Sequence, residues 1–238
     1  PNTSSAASDV YKRQVINYPG STAGSLIMEN IDIEDSLVNL IDVDFANVWI
    51  SNVTATSASA NSGNALAAEG DGTGSSIYVY NMDAPDYSSV TIYSLDSISL
   101  EDVDLGSASV SISPGGTSST AAGPSGSSAM IDTLTSGSVT MTRTAPTLDN
   151  LDIGALTIMG NSPGSDPIMG ENWDTDGISV SGCGYKVHGT TVTTDYVAGS
   201  CSNSASPNMI TLGDVDATYT GTMLSLIHIL TLPTKCWV

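Results

Sequence analysis

A chain of 238 residues with 25 acidic against five basic side chains, at a formal charge of −20, lacks the basic face that nucleic-acid phosphates or anionic membranes require. No stretch approaches the roughly 18 apolar residues of a membrane-spanning helix. With 5% aromatic residues and a single Phe, any core is built from Val, Ile, Leu, Ala and Met, and 23 Gly among abundant Ser and Thr point to many short turns.

Taken from the N-terminus, Ser4-Ser-Ala-Ala-Ser-Asp-Val-Tyr-Lys-Arg-Gln14 resembles the translation of a transposase sequencing adapter. At the other end, Leu224-Ser-Leu-Ile-His-Ile-Leu-Thr-Leu-Pro-Thr234 resembles the reverse complement of the same adapter, read with one inserted base. Residues 1–14 and 224–238 are therefore expected to be scars and are set aside. The remaining 15–223 are expected to be one domain and an internal piece of something longer. Setting aside Asp9 and the bases Lys12, Arg13 and Lys235 leaves 24 acids against Arg143 and Lys186. His188, Cys183 and Cys201 are then the only His and Cys residues.

Between these ends a short pattern recurs. It runs Leu26-Ile-Met-Glu-Asn30-Ile-Asp-Ile33, Val48-Trp-Ile-Ser-Asn52-Val-Thr-Ala55, Ile77-Tyr-Val-Tyr-Asn81-Met-Asp-Ala84 and Ile98-Ser-Leu-Glu-Asp102-Val-Asp-Leu105. Two further copies follow, Leu148-Asp-Asn150-Leu-Asp-Ile153 and Ile210-Thr-Leu-Gly-Asp214-Val-Asp-Ala217. The marked Asn and Asp residues are 22, 29, 21, 48 and 64 apart, so the last two intervals fit two and three turns of a repeat. Self-similarity at this period is the mark of a solenoid.

Alternating Val, Ile and Tyr predict half-buried strands, but the alternation changes phase at each Asn or Asp. Val48 and Ile50 are even-numbered while Val53 and Ala55 are odd. A straight strand cannot bury both pairs, so the chain turns a corner there. Asn and Asp suit such a corner because they tolerate left-handed backbone better than other non-glycine residues. Asn52-Val-Thr54 also reads as a glycosylation sequon, and the corner reading is preferred. Stacked corners predict an all-β parallel solenoid, with a β-sandwich as the alternative. The repeat and its corner residues over 24–218 resemble the right-handed parallel β-helix, or pectin-lyase-like, superfamily. That resemblance implies the fold and says little of function. Residues 113–129 are low-complexity and predict a loop; 56–76 are a milder insertion in which Ala65-Leu-Ala-Ala68 adds a strand.

Oxygen-bearing side chains at alternate positions followed by Gly, in Asn172-Trp-Asp174-Thr-Asp176-Gly177, match the first half of a calcium loop. Asn172, Asp174 and Asp176 are thus the candidate metal ligands, and calcium the candidate ion. The twelfth position is Cys183 and not Glu, which rules out an EF-hand. Asp174-Thr-Asp176-Gly-Ile178 also resembles the Asn-Thr-Asp-Gly-Ile motif of β-helix polygalacturonases, which implies a catalytic carboxyl at Asp176. Asp174 stands where that motif has Asn, no adjacent acidic pair follows, and neither base lies in an Arg-x-Lys. Asp174, Asp176 and His188 are the catalytic candidates of that alternative. Cys183 and Cys201, about one coil apart, are expected to form a disulfide.

The expected role is non-catalytic: an acidic extracellular or cell-surface solenoid acting as a spacer, an adhesin or a glycan-contacting surface, stabilised by divalent cations. The alternative is a polysaccharide hydrolase or lyase.

Overall fold

The computed structural model describes residues 14–16, 25–34, 38–41, 47–56, 63–69, 76–93, 96–113, 128–142, 144, 146–160, 167–201, 208–213 and 216–219. All but Gln14 of the two adapter-like ends, the middle of the low-complexity segment and the corner Asp214 lie outside the described residues. Fifteen strands form one sheet: β1 (Gln14–Ile16), β2 (Ser25–Glu34), β3 (Val38–Ile41), β4 (Asn47–Thr56), β5 (Asn64–Glu69), β6 (Ser76–Asp83), β7 (Ser89–Tyr93), β8 (Ser97–Asp104), β9 (Ser109–Ser113), β10 (Ser128–Thr142), β11 (Thr147–Met159), β12 (Ile168–Ser181), β13 (Lys186–Ser200), β14 (Met209–Leu212) and β15 (Asp216–Tyr219). No helix occurs among the described residues.

Every pairing is parallel, and the order of pairing shows that the sheet is wound. Alternate strands stack on each other, β2-β4-β6-β8 in one pile and β1-β3-β5-β7-β9 in another. The long β10 joins the piles, since its first half pairs with β8 and its second half with β9. A strand can meet two different strands along one edge only if the chain circles an axis once per coil. The molecule is a parallel β-solenoid, and an antiparallel sandwich is excluded.

The corners are where the phase break places them. Asn30, Asn52, Asn81, Asp102 and Asn150 all have φ between 53° and 56°. The 48-residue interval holds one more corner, Thr133, and the 64-residue interval two more, Asn172 and Thr191. The left-handed conformation costs an L-residue roughly 1–2 kcal/mol, and the asparagines offset it by bonding along the axis. Asn52 Nδ2 donates to Asn30 Oδ1 at 3.2 Å, and Asn81 Nδ2 to Asn52 Oδ1 at 2.9 Å. Asn172 Nδ2 likewise donates to Asn150 Oδ1 at 2.9 Å. Where Thr133 interrupts this series, the preceding residue substitutes: Asp132 Oδ1 accepts from Asn150 Nδ2 at 2.7 Å.

Inside, residues in register pile into apolar columns with the spacing of neighbouring strands, about 4.8 Å. Before the corner, Met28, Ile50, Val79, Leu100, Ile131 and Leu148 follow one another, Met28 being half-buried and the rest buried. After it come Ile31, Val53, Met82, Val103, Leu134, Leu151, Trp173 and Val192. The third wall carries Leu66, Val90, Val110, Val139, Leu156, Ile178 and Val197. The core is aliphatic as composition requires, with Trp173, Tyr87 and Tyr185 as buried exceptions.

Trp173 fits because the column beside it changes. The positions that would hold Ile or Leu in its own coil and the next are Gly170 and Gly189. A Cβ on Gly170 would strike the Leu148 carbonyl oxygen and stand 2.8 Å from the indole Nε1, and one on Gly189 would lie 2.8 Å from Val192 Cγ2 and 2.9 Å from the ring. The indole nitrogen instead donates to the Leu148 carbonyl at 2.6 Å, so the one polar atom of this buried ring is satisfied.

A second bend is made by hydroxyls. Thr175 Oγ1 accepts from Gly177 N at 3.3 Å and donates to the Gly177 carbonyl at 3.2 Å, while Thr194 Oγ1 donates to the Tyr196 carbonyl at 3.1 Å. Cys183 and Cys201 are joined as expected, with Cα atoms 4.9 Å apart, and the bridge ties β12 to β13 just past their ends.

The corner is testable by two substitutions at Asn81. Alanine keeps the left-handed strain and removes an amide partner, and is expected to destabilise by about 1–3 kcal/mol. Glycine removes the strain as well and should cost less than alanine. Urea titration of both variants checks the order; a glycine variant as unstable as the alanine one would reject the backbone account.

Candidate functional site

Every side chain next to the first corner on the outside is repeated once per coil, so the outer surface is a set of columns. Two positions beyond the corner, the register runs Asp32, Thr54, Asp83, Asp104, Thr135, Asp152, Asp174, Thr193, Asp216. The Asp side chains from Asp32 to Asp174 in this column are exposed. One position before the corner a second acidic column holds Glu101, Asp132, Asp149 and Glu171 on four successive coils. Some of these oxygens are occupied: Asp149 Oδ1 accepts from Glu171 N at 3.0 Å and Asp104 Oδ1 from Gly106 N at 3.0 Å.

The three candidate metal ligands lie on one coil but play unequal parts. Asn172 is itself a corner, and its amide is engaged with Asn150. Asp174 belongs to the acidic column, opposite Asp152 and Thr193. Asp176 is exposed at the second bend, with the buried Thr175 between it and Asp174. No group of three or more His, Cys, Asp or Glu side chains arranged to hold a metal occurs among the described residues. The residues that resemble the polygalacturonase motif form this bend. Thr175 closes it, and Gly177 leaves room for the Tyr196 ring, which a Cβ there would strike. His188 is half-buried in β13, in register with Met169 and Thr211. The corner at Thr191 separates it from the column of Asp174, so the fold does not align these candidates on one wall.

A third outward column, three positions before the corner, is not among the candidates read from the sequence. It reads Ile27, Trp49, Tyr78, Ser99, Met130, Thr147, Met169, His188, Thr211. Ile27 is 64% exposed, Met169 51%, and Trp49 and Met130 43% each. Large apolar side chains in consecutive coils on an outer wall are not needed to close the core, which makes this wall the candidate contact surface. The signal for it was in the repeat itself: the third residue before Asn30, Asn52 and Asn81 is Ile, Trp and Tyr.

Its rings are held in place. The Trp49 and Tyr78 centroids are 4.2 Å apart with planes tilted by 40°, and Tyr78 stacks on Tyr80 at 6.3 Å. Tyr78 Oη donates to Glu101 Oε2 at 2.6 Å, from the neighbouring coil. That bond to a carboxylate, with burial and the repulsion of Glu101 added, pushes the Tyr78 phenol up to about 12.

No family model matches the chain, and no curated protein or solved structure matches it.

The Tyr78 shift carries a sign. A pKa raised in the folded state favours the protonated phenol there, so its contribution is complete below the ordinary tyrosine value of 10.0 and is lost as pH rises through about 12. The difference in ultraviolet titration between wild type and Tyr78→Phe should therefore show one phenol ionising near 12. Glu101→Gln should bring that midpoint down towards 10.0. An unchanged midpoint in Glu101→Gln would show that the hydrogen bond is not the cause.

Proposed function

We propose that this chain is a non-catalytic, extracellular or cell-surface solenoid of the right-handed pectin-lyase-like kind, and that it meets a glycan along the wall bearing Trp49 and Tyr78. The observation that carries this reading is the outward column of exposed Ile27 and Trp49 and half-buried Tyr78 set beside carboxylates, held rigid by ring stacking and the bond to Glu101. Aromatic faces and carboxylates on a rigid wall offer both the apolar and the hydrogen-bonding halves of sugar recognition. A solenoid presents such groups in line, as an extended polymer requires. The disulfide supports an oxidising compartment.

The hydrolase form of the alternative calls for two positioned carboxyls of differing pKa, with cationic groups for an acidic sugar. It has Asp176 to offer by resemblance, at an exposed bend.

Calcium belongs to the same reading. Asp83 and Asp104 stand side by side in the outward column, as do Asp152 and Asp174. Like charges directly opposite across strands repel, and hard divalent cations with oxygen ligands relieve that repulsion. Asn172, Asp174 and Asp176 are the coil proposed to bind best.

Two measurements test the proposal. Mixed with insoluble polysaccharides, the protein should sediment with at least one of them and release no reducing sugar or unsaturated product; release would establish the enzyme alternative. Millimolar calcium should raise the melting temperature by more than sodium chloride of equal ionic strength, because only a ligand of the folded state stabilises by mass action. Equal shifts would reduce the effect to screening and remove the calcium site.

A further inference from the structure

The apolar column opens on one side of Trp49 into a cleft of about 360 Å³, lined by Ser25, Leu26, Ile27, Glu29, Asn47 and Trp49. Tyr78 packs on Trp49 from the following coil, and the cleft lies towards the preceding coil, where Ile27 stands. The lining is largely apolar, with one carboxylate, Glu29, and no cationic group. An indole beside a carboxylate is suited to a positive charge, which the ring face and the carboxylate both attract. The surroundings have the same sign, since the chain carries −20 and Glu101 lies two coils away on the same wall. An acidic sugar would be repelled here.

The kind of molecule is narrowed by the backbone. The strand that bears Trp49, β4, is paired with β2 on one side and β6 on the other, so its amides and carbonyls are already in ladders. A peptide strand cannot be added to β4, so an occupant lying over Trp49 is held there by side chains, whereas β2 pairs only with β4 among the described residues. Sugar rings meet that condition, with apolar CH faces for Trp49 and Ile27 and hydroxyls for Ser25 and Asn47. Asn47 Oδ1 accepts from Ser76 Oγ at 2.8 Å, which fixes the amide at the rim of the cleft.

We propose that the Ile27–Trp49 cleft binds a protonated amino sugar within a glucosamine-type polysaccharide, its CH face on Trp49 and its ammonium at Glu29. This rests on the glycan-contacting reading and specifies the class of glycan.

Calorimetric titration of the full chain with four soluble probes tests it: a glucosamine hexamer, its N-acetylated form, a galacturonate hexamer and hexalysine. The glucosamine hexamer should bind most tightly, the N-acetylated form about tenfold more weakly, and galacturonate not at all. Trp49→Ala should weaken glucosamine binding by about tenfold or more, Trp49→Phe should retain most of it, and Glu29→Gln should erase the preference over the N-acetylated form. Both side chains are exposed, so all three variants should stay folded, with Glu29→Gln melting as wild type and Trp49→Ala losing only its ring contact with Tyr78. Equal affinity for the two glucosamine forms would overturn the cationic class while the glycan surface stands. Binding of hexalysine alone, lost in Trp49→Ala, would overturn the glycan surface too. Glucosamine binding indifferent to Trp49→Ala would place the contact on the acidic columns and reject the cleft.

Discussion

Each coil of this solenoid has to turn through a corner while keeping apolar side chains inward on both sides of it. A strand alternates strictly, so the turn has to shift the phase by one residue, and one residue in the left-handed region does this. Eight described non-glycine residues are held at φ between 53° and 58° for that purpose. Because they stack in register, the strain at each is met by bonds to the next, and the corner is a property of the pile. The outer surface follows from the same constraint: every column on it is defined by its distance from this residue.

The corner was legible in the sequence because its phase shift leaves a mark that no flat strand produces. Asn30, Asn52, Asn81, Asp102 and Asn150 carry that mark in full. Thr133 and Thr191 do not, since a β-branched residue is a poor choice for left-handed backbone and is held there by its neighbours. Asn172 escaped for a different reason: the apolar position before it is Gly170, where a Cβ would strike the Leu148 carbonyl that accepts the Trp173 indole N–H and then the indole itself. With the pattern broken, its alternating oxygens resemble a calcium loop more than a corner. The same substitution recurs at Gly189, before Thr191. A residue that is small because its neighbour is large leaves no trace in a single-sequence pattern.

The site was less legible than the fold. Asp174, Asp176 and His188 are close in sequence, but a corner and a coil boundary come between them, which linear spacing conceals. Trp49 and Tyr78 are 29 residues apart and lie in contact. In a wound chain the informative distance is the remainder after whole coils are removed, and coil lengths here are unequal. The insertions that vary those lengths leave the corner column unbroken.

Parallel winding also sets how the molecule would behave under tension. Each coil is bonded only to its two neighbours, so a pull along the axis meets one ladder at a time and coils can peel from an end in sequence. The Cys183–Cys201 bridge alters this at one place by joining the coils of β12 and β13 covalently. Those two coils, which also enclose Trp173 and its two glycines, can then part only as a pair. Extension would be graded along the rest of the chain and stepped at this point, giving an otherwise uniform spring one stiff segment.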